Sequence, residues 1–147
     1  MDVLEFLAWD NINKSMHRVE EISFPKDAPL HGVLSGGQGR VYFNLNTIID
    51  GNREHVILRQ FTFQRDNSMA KEFPDGRKIY DGDIVRATNK GGWSRLFEIM
   101  WNEDVSAFKV WAGDQPNISF NLTSDNIIDF NVVVVGNKFE NPELLGL

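Results

Sequence analysis

Three acidic residues lie close enough in sequence to suggest chemistry: Asp75, Asp81 and Asp83. Carboxylates grouped in this way serve general acid–base transfer or the binding of a hard cation. Their neighbours favour a simpler role. Asp75-Gly76 is a turn dipeptide, and Asp81-Gly82-Asp83 is a bend that feeds a strand, where aspartate side chains bond nearby backbone N–H groups. His17, His31 and His55 sit in different segments without metal-ligand spacing. Gly36-Gly37-Gln38-Gly39 has the glycine content of a phosphate cradle but follows a loop and opens a strand, whereas a phosphate loop follows a strand and opens a helix. It reads as a hairpin or flexible turn. The chain has no cysteine, which removes thiolate metal sites, disulfides and cysteine nucleophiles together. The reading is of a protein that is not an enzyme, with no cofactor and no metal.

One segment does carry the chemistry of recognition. In Asn89-Lys90-Gly91-Gly92-Trp93-Ser94-Arg95, two glycines precede a tryptophan flanked by two cations. Tryptophan and arginine are enriched at binding hot spots, where a rigid aromatic body acts beside a forked donor. Arg86, Lys90, Gly91, Gly92, Trp93 and Arg95 are therefore the candidate binding residues. The alternative is that Trp93 folds back as an anchor over the end of its own fold.

The elements that would position this loop are mostly strands. Residues 4–9 and 16–22 flank the polar stretch Asp10 to Ser15 and read as a hairpin; a first-turn helix over residues 2–8 competes, because Val3, Phe6 and Leu7 have helical spacing. Prolines and glycines between Phe24 and Gly39 read as a loop, residues 40–45 as a strand, and Asp50-Gly51-Asn52 as a turn before a strand over 55–63. Apolar content then falls from Gln64 to Arg77, the pattern of a mobile surface loop. Five β-like segments follow, at 79–87, 94–101, 105–111, 118–122 and 132–139, each closed by turn formers. Five short strands at this spacing suit a small closed barrel, which has no exposed edges. Ser124 is placed to cap one helical turn over 124–129. Asn141-Pro142-Glu143 has the order of a helix start, with an N-cap, proline at the first position and an acid at the positive end of the dipole. Leu144, Leu145 and Leu147 would pin that short helix to the barrel.

The expected fold class is thus mainly β: a small SH3-like five-stranded barrel in the C-terminal half with an N-terminal β-rich segment packed on it. The expected division is residues 1–63 for that segment, 64–77 for the surface loop, and 78–147 for the barrel with its short C-terminal helix.

Two long motifs stand out in order. One is Ile79-Tyr80-Asp81-Gly82-Asp83-Ile84-Val85; the other is Gly136-Asn137 followed by Glu140-Asn141-Pro142-Glu143-Leu144-Leu145. With Ala8-Trp9-Asp10, Met16 and Gln60-Phe61-Thr62, they make the chain resemble the YopX family of phage and prophage proteins over nearly its whole length. The resemblance implies a bacterial virus or an integrated one, a mainly β fold and no established activity. Two departures are visible. Glycine commonly follows the threonine in that family, where this chain has Phe63, and residues 64–74 are longer than usual.

Composition narrows the setting. The chain has 147 residues, 41% of them hydrophobic and 24% charged, so it reads as an ordinary folded protein that needs no staple. Its start lacks the basic and apolar regions of a signal peptide, and no run approaches the length of a membrane span. The expected location is the cytoplasm of a bacterial host cell, with no membrane partner. The net charge is −6, which disfavours a phosphate-backbone binder. The charge is uneven, however: residues 76–112 hold six Lys or Arg against five acids, and residues 113–147 hold one Lys against five acids. The expected partner is a host or phage protein engaged by a non-catalytic binding module. Single-stranded nucleic acid, bound by Trp93 or Trp111 with Arg86, Lys90 and Arg95, is the disfavoured alternative. A self-assembling structural protein, a homo-oligomer, is compatible with either.

Overall fold

Asp10 makes the first reversal of the chain. Its carboxylate accepts the backbone N–H groups of Ile12 and Asn13 at 3.0 Å each and the Asn13 side-chain amide at 2.8 Å. Lys14 takes a positive φ of 53° to finish the turn. In the computed structural model, which describes residues 2–23, 31–36, 39–44, 56–69 and 71–146, this turn joins β1 (Phe6–Asp10) to β2 (Ser15–Ser23). The hairpin reading holds and the competing helix does not form. β1 pairs antiparallel with β2 on one side and with the start of β5 (Val56–Arg65) on the other.

The chain divides into two units, Leu4–Gln60 and Phe61–Leu147 with Met1–Val3. The first unit is an antiparallel sheet in which β3 (His31–Gly36) and β4 (Gly39–Asn44) extend the hairpin, giving the order β4, β3, β2, β1, β5. β3 falls where glycine and proline content suggested a loop. The register explains why: Gly36 pairs with Gly39, so these glycines end two strands of a hairpin instead of punctuating a coil. Residues 24–30 and 37–38, the turn at Asp50-Gly51-Asn52 and His55 lie outside the described residues. Ala8 and Val56 are buried with Val19 and Leu58 against them, and the buried Arg59 reaches the Met16 sulfur at 3.7 Å.

The second unit starts with residues 61–65 of β5, which pair with the short β6 (Lys78–Tyr80). Beyond it an open antiparallel sheet is built from β7 (Asp83–Thr88), β8 (Ser94–Asn102), β9 (Ala107–Trp111), β10 (Phe120–Asn121) and β11 (Val133–Asn137), in the order β10, β9, β8, β7, β11. The expected closed barrel is not formed. Residues 79–87 are two strands, split at Gly82, whose φ of +86° breaks the ladder and sends Lys78–Tyr80 to β5. β10 has only two residues and pairs with β9, leaving β10 and β11 as the two edges of the sheet. The fold is mainly β, with two antiparallel sheets and little helix.

One face of this sheet carries the core. Val85, Phe97, Ile99, Val110, Val132 and Val134 are buried there, and each such side chain contributes about 1.5–3 kcal/mol by leaving water. The helix α1 (Ser124–Asp129) adds Ile127 to that core. Its cap is Thr123, whose hydroxyl accepts from Asn126 N at 3.2 Å; Ser124, expected as the cap, is instead the first helical residue and donates to Gln64 Oε1. The apolar run at 132–135 alternates, with Val132 and Val134 buried and Val133 and Val135 half-buried.

The segment from Gln64 to Arg77 is held at Asp66, which is 5% exposed. Asp66 Oδ1 accepts from Arg77 N at 2.7 Å, Ser68 N at 3.1 Å and the Ser68 hydroxyl at 2.7 Å, while Oδ2 accepts from Val134 N at 2.9 Å. Asp66 N donates to Arg77 O and Asn67 N to Val132 O, both at 2.8 Å. Gly76 is fixed beside it, because a Cβ there would stand 2.2 Å from the Asp66 carbonyl oxygen.

Phe63 has a φ of +65°, a region that costs an L-residue with a bulky side chain roughly 1–2 kcal/mol. It lies in the irregular stretch of register between Phe61 and Arg65 and is 47% exposed, with its ring 5.4 Å from the buried Phe61 ring. This is the position where the family resemblance leads one to expect glycine.

Two stability predictions follow from these contacts. Asp66→Ala leaves buried N–H groups without acceptors and lowers unfolding free energy by about 3 kcal/mol, read as a lower urea midpoint at unchanged slope. Phe63→Gly raises unfolding free energy by up to about 1 kcal/mol, read as a higher midpoint, since relief of strain exceeds the loss of one half-exposed ring.

Candidate functional site

The loop between β7 and β8 is a closed turn. Asn89 N donates to Trp93 O at 2.8 Å, Gly92 N to Asn89 O at 3.0 Å, and Trp93 N to Asn89 Oδ1 at 3.0 Å. Gly92 supplies the left-handed residue, φ +83°. Lys90, Gly91 and Gly92 are exposed, and the Trp93 side chain stands out from the turn at 55% exposure.

Of the six candidate residues, Trp93 and Arg95 line a common groove of about 700 Å³. The register of β8 and β9 explains its floor. Leu96 and Glu98 project from the sheet face opposite the core, and Trp111 is the cross-strand partner of Glu98. Arg86 is exposed on β7 opposite Leu96, so it belongs to the same face. Lys90, Gly91 and Gly92 form the turn that presents Trp93 and are not groove lining.

The charges on the groove lining are paired. Arg95 Nη2 meets Asp114 Oδ1 at 2.7 Å, and Glu98 Oε2 meets Lys138 Nζ at 3.2 Å. The hydrogen bond from Arg95 is the main cause that holds the exposed Asp114 carboxyl below its usual range, helped by the positive charge of the guanidinium. Lys109 is different: its Nζ lies 3.9 Å from the centre of the Trp111 ring.

The remaining wall was not legible as a site in the sequence. Leu144 and Leu145, in the 3-10 turn Pro142–Leu145, line the groove opposite the strands. Two asparagines place them. Asn137 Oδ1 accepts from Phe139 N at 3.1 Å and Glu140 N at 2.8 Å, and Asn141 Oδ1 accepts from Asn137 N at 3.2 Å. Asn141 stands at the expected N-cap position, but its side chain makes no capping bond and ties the turn back to β11 instead. Gly136 permits the approach. A Cβ there would lie 2.6 Å from Asn141 Oδ1 and 3.1 Å from Leu144 Cδ1. The signal available in the sequence was the glycine directly before Asn137; Leu147 lies outside the described residues.

A second cavity of about 310 Å³ shares Trp93 and is otherwise walled mainly by Phe97, Ile118, Phe120 and Phe130. The rings of Phe120 and Phe130 are 4.6 Å apart.

The acidic residues considered for chemistry do not converge. Asp83 Oδ2 accepts from Tyr80 N at 2.8 Å and shapes the Gly82 bend, and Asp75 is exposed in a turn. Among the described residues no group of three or more His, Asp or Glu is placed to hold a metal ion, and no helix is long and apolar enough to cross a membrane. His17 exchanges a 2.8 Å hydrogen bond with the Ser15 hydroxyl.

Comparison with known proteins agrees with this architecture. The family model described as YopX protein matches residues 5–146. The crystal structure of protein yopX from Bacillus subtilis superposes with a TM-score of 0.60 at 17% identity, covering 97% of this chain and 96% of that one. At that identity the likeness speaks for the fold alone. No curated protein matches the sequence.

The site separates two kinds of residue. Trp93→Ala leaves the melting temperature within about 2 °C of the parent, because the lost side chain is exposed. Gly136→Ala lowers stability by about 1–3 kcal/mol, because Asn141 and Leu144 must move to admit the methyl group. Thermal scans of the two variants check both.

Proposed function

We propose that this chain, which belongs to the YopX family, is a non-catalytic protein-binding module that engages a host or phage protein through the groove at Trp93. The supporting observation is the character of that groove. It is large and half-open, walled by Trp93, Trp111, Leu96, Leu144 and Leu145, and its Arg95 and Glu98 are already paired with Asp114 and Lys138. An exposed indole beside paired charges suits the centre of a protein interface, where aromatic anchors are desolvated inside a polar rim. Of the carboxylates considered for catalysis, Asp83 holds the Tyr80 backbone N–H and Asp75 stands exposed in a turn.

The resemblance to phage and prophage proteins supports a viral origin and action in the cytoplasm of a bacterial host cell. The nucleic-acid reading is weaker, because Arg95, one of its three cations, is committed to Asp114, and backbone affinity needs cations free to displace counterions.

Affinity capture from host extract, run with and without nuclease, tests the proposal. The expected result is a stoichiometric protein that survives moderate salt and is lost with Trp93→Ala, while the variant melts as the parent does. Nucleic acid recovered in place of protein, and removed by nuclease, would move the single-stranded nucleic-acid reading to first place. Protein recovered alone from extract of the native host would leave self-assembly as the better account.

A further inference from the structure

Resting on the protein-binding reading of the groove, we infer that its occupant is an acidic peptide segment carrying an apolar or aromatic anchor. The argument comes from how charge is distributed around the apolar walls. Two carboxylates line the groove, Glu98 and Asp114, and each is matched by a cation, Lys138 and Arg95. Two further cations stand on the same sheet face: Arg86, the cross-strand partner of the groove residue Leu96, and Lys109, two residues before Trp111 on β9. Neither has a carboxylate partner among the described residues.

Lys109 has a second relevant property. Its ammonium sits 3.9 Å over the Trp111 ring, a contact that fixes its position without neutralising its charge. A carboxylate pair would have done both. Beside the groove, the sheet face therefore presents a positioned positive charge over Trp111, and Arg86 adds a second next to Leu96, in a chain whose net charge is −6. Complementary charge at a rim steers encounter and selects against partners of the wrong sign, while buried apolar contact supplies affinity.

An extended nucleic acid fits less well. Its phosphates need a row of unpaired cations, and the acidic remainder of the protein repels a long polyanion. A short acidic peptide meets the two cations locally and offers an apolar side chain to Leu96, Leu144 and the tryptophans.

The experiment uses the full chain against an array of short synthetic peptides. Each peptide carries one central leucine, phenylalanine or tryptophan, and the flanks are acidic, neutral or basic. A short oligothymidylate serves as the nucleic-acid probe. The expected result is retention concentrated in the acidic series, with affinity about tenfold above the neutral series at low salt. That preference collapses in the double variant Arg86→Gln and Lys109→Gln and survives Lys109→Arg, and all retention falls with Trp93→Ala. Equal binding of acidic and neutral peptides, or preference for basic ones, overturns the charge inference and leaves the protein-binding reading standing. No retention of any peptide overturns both. Saturable binding of the oligothymidylate that falls steeply with salt replaces the peptide with a nucleic acid. Concentration-dependent self-association abolished by Trp93→Ala replaces it with a second copy of the chain.

Discussion

The buried carboxylate of Asp66 is the constraint on which the second unit depends. A carboxyl group at this depth is tolerated only when it is hydrogen-bonded, and here backbone N–H groups from three places serve it: Ser68 nearby, Arg77 across the loop and Val134 on the last strand. The contact with Val134 sets where β11 starts its run along β7. The position of β11 in turn brings Val132 and Val134 into the core and delivers Gly136 to the outer face. A segment with little apolar content of its own thereby fixes the edge of a sheet almost at the far end of the chain.

That far end then builds the groove. Gly136 has no Cβ, so the turn of Asn141 and Leu144 can lie directly on the sheet, and Asn137 and Asn141 exchange the bonds that keep it there. The apolar wall of Leu144 and Leu145 is thus a product of backbone clearance and amide geometry. The opposite wall, Trp111 and Leu96, follows from strand alternation. Two unrelated devices meet at one surface, and Trp93 stands at its mouth.

Much of this was legible in the sequence, and the limits have physical causes. The first hairpin, the strands β7 to β9, the short helix and the prominence of Trp93 all rest on local patterns, and local patterns are what one sequence displays. Asp66 was visible only as part of a segment with little apolar content, because its decisive partner, Val134, is 68 residues away. The barrel was expected from strand count, but closure depends on which edges meet. A single positive φ at Gly82 diverted one strand to a different partner. Asn141 matched a helix cap in type and spacing, yet its side chain found a better-placed donor in Asn137. β3 was obscured because glycines at strand ends and glycines in coils look alike in composition.

The turn below Trp93 has a consequence for kinetics. With Asn89 clamping both ends through backbone and side chain, the residues that carry the indole lost their conformational freedom when the chain folded. A ligand arriving at Trp93 meets a preorganised loop and has no ordering entropy of that segment to overcome. Ligands that differ in fit at this surface will consequently share similar association rates, and their residence times will distinguish them.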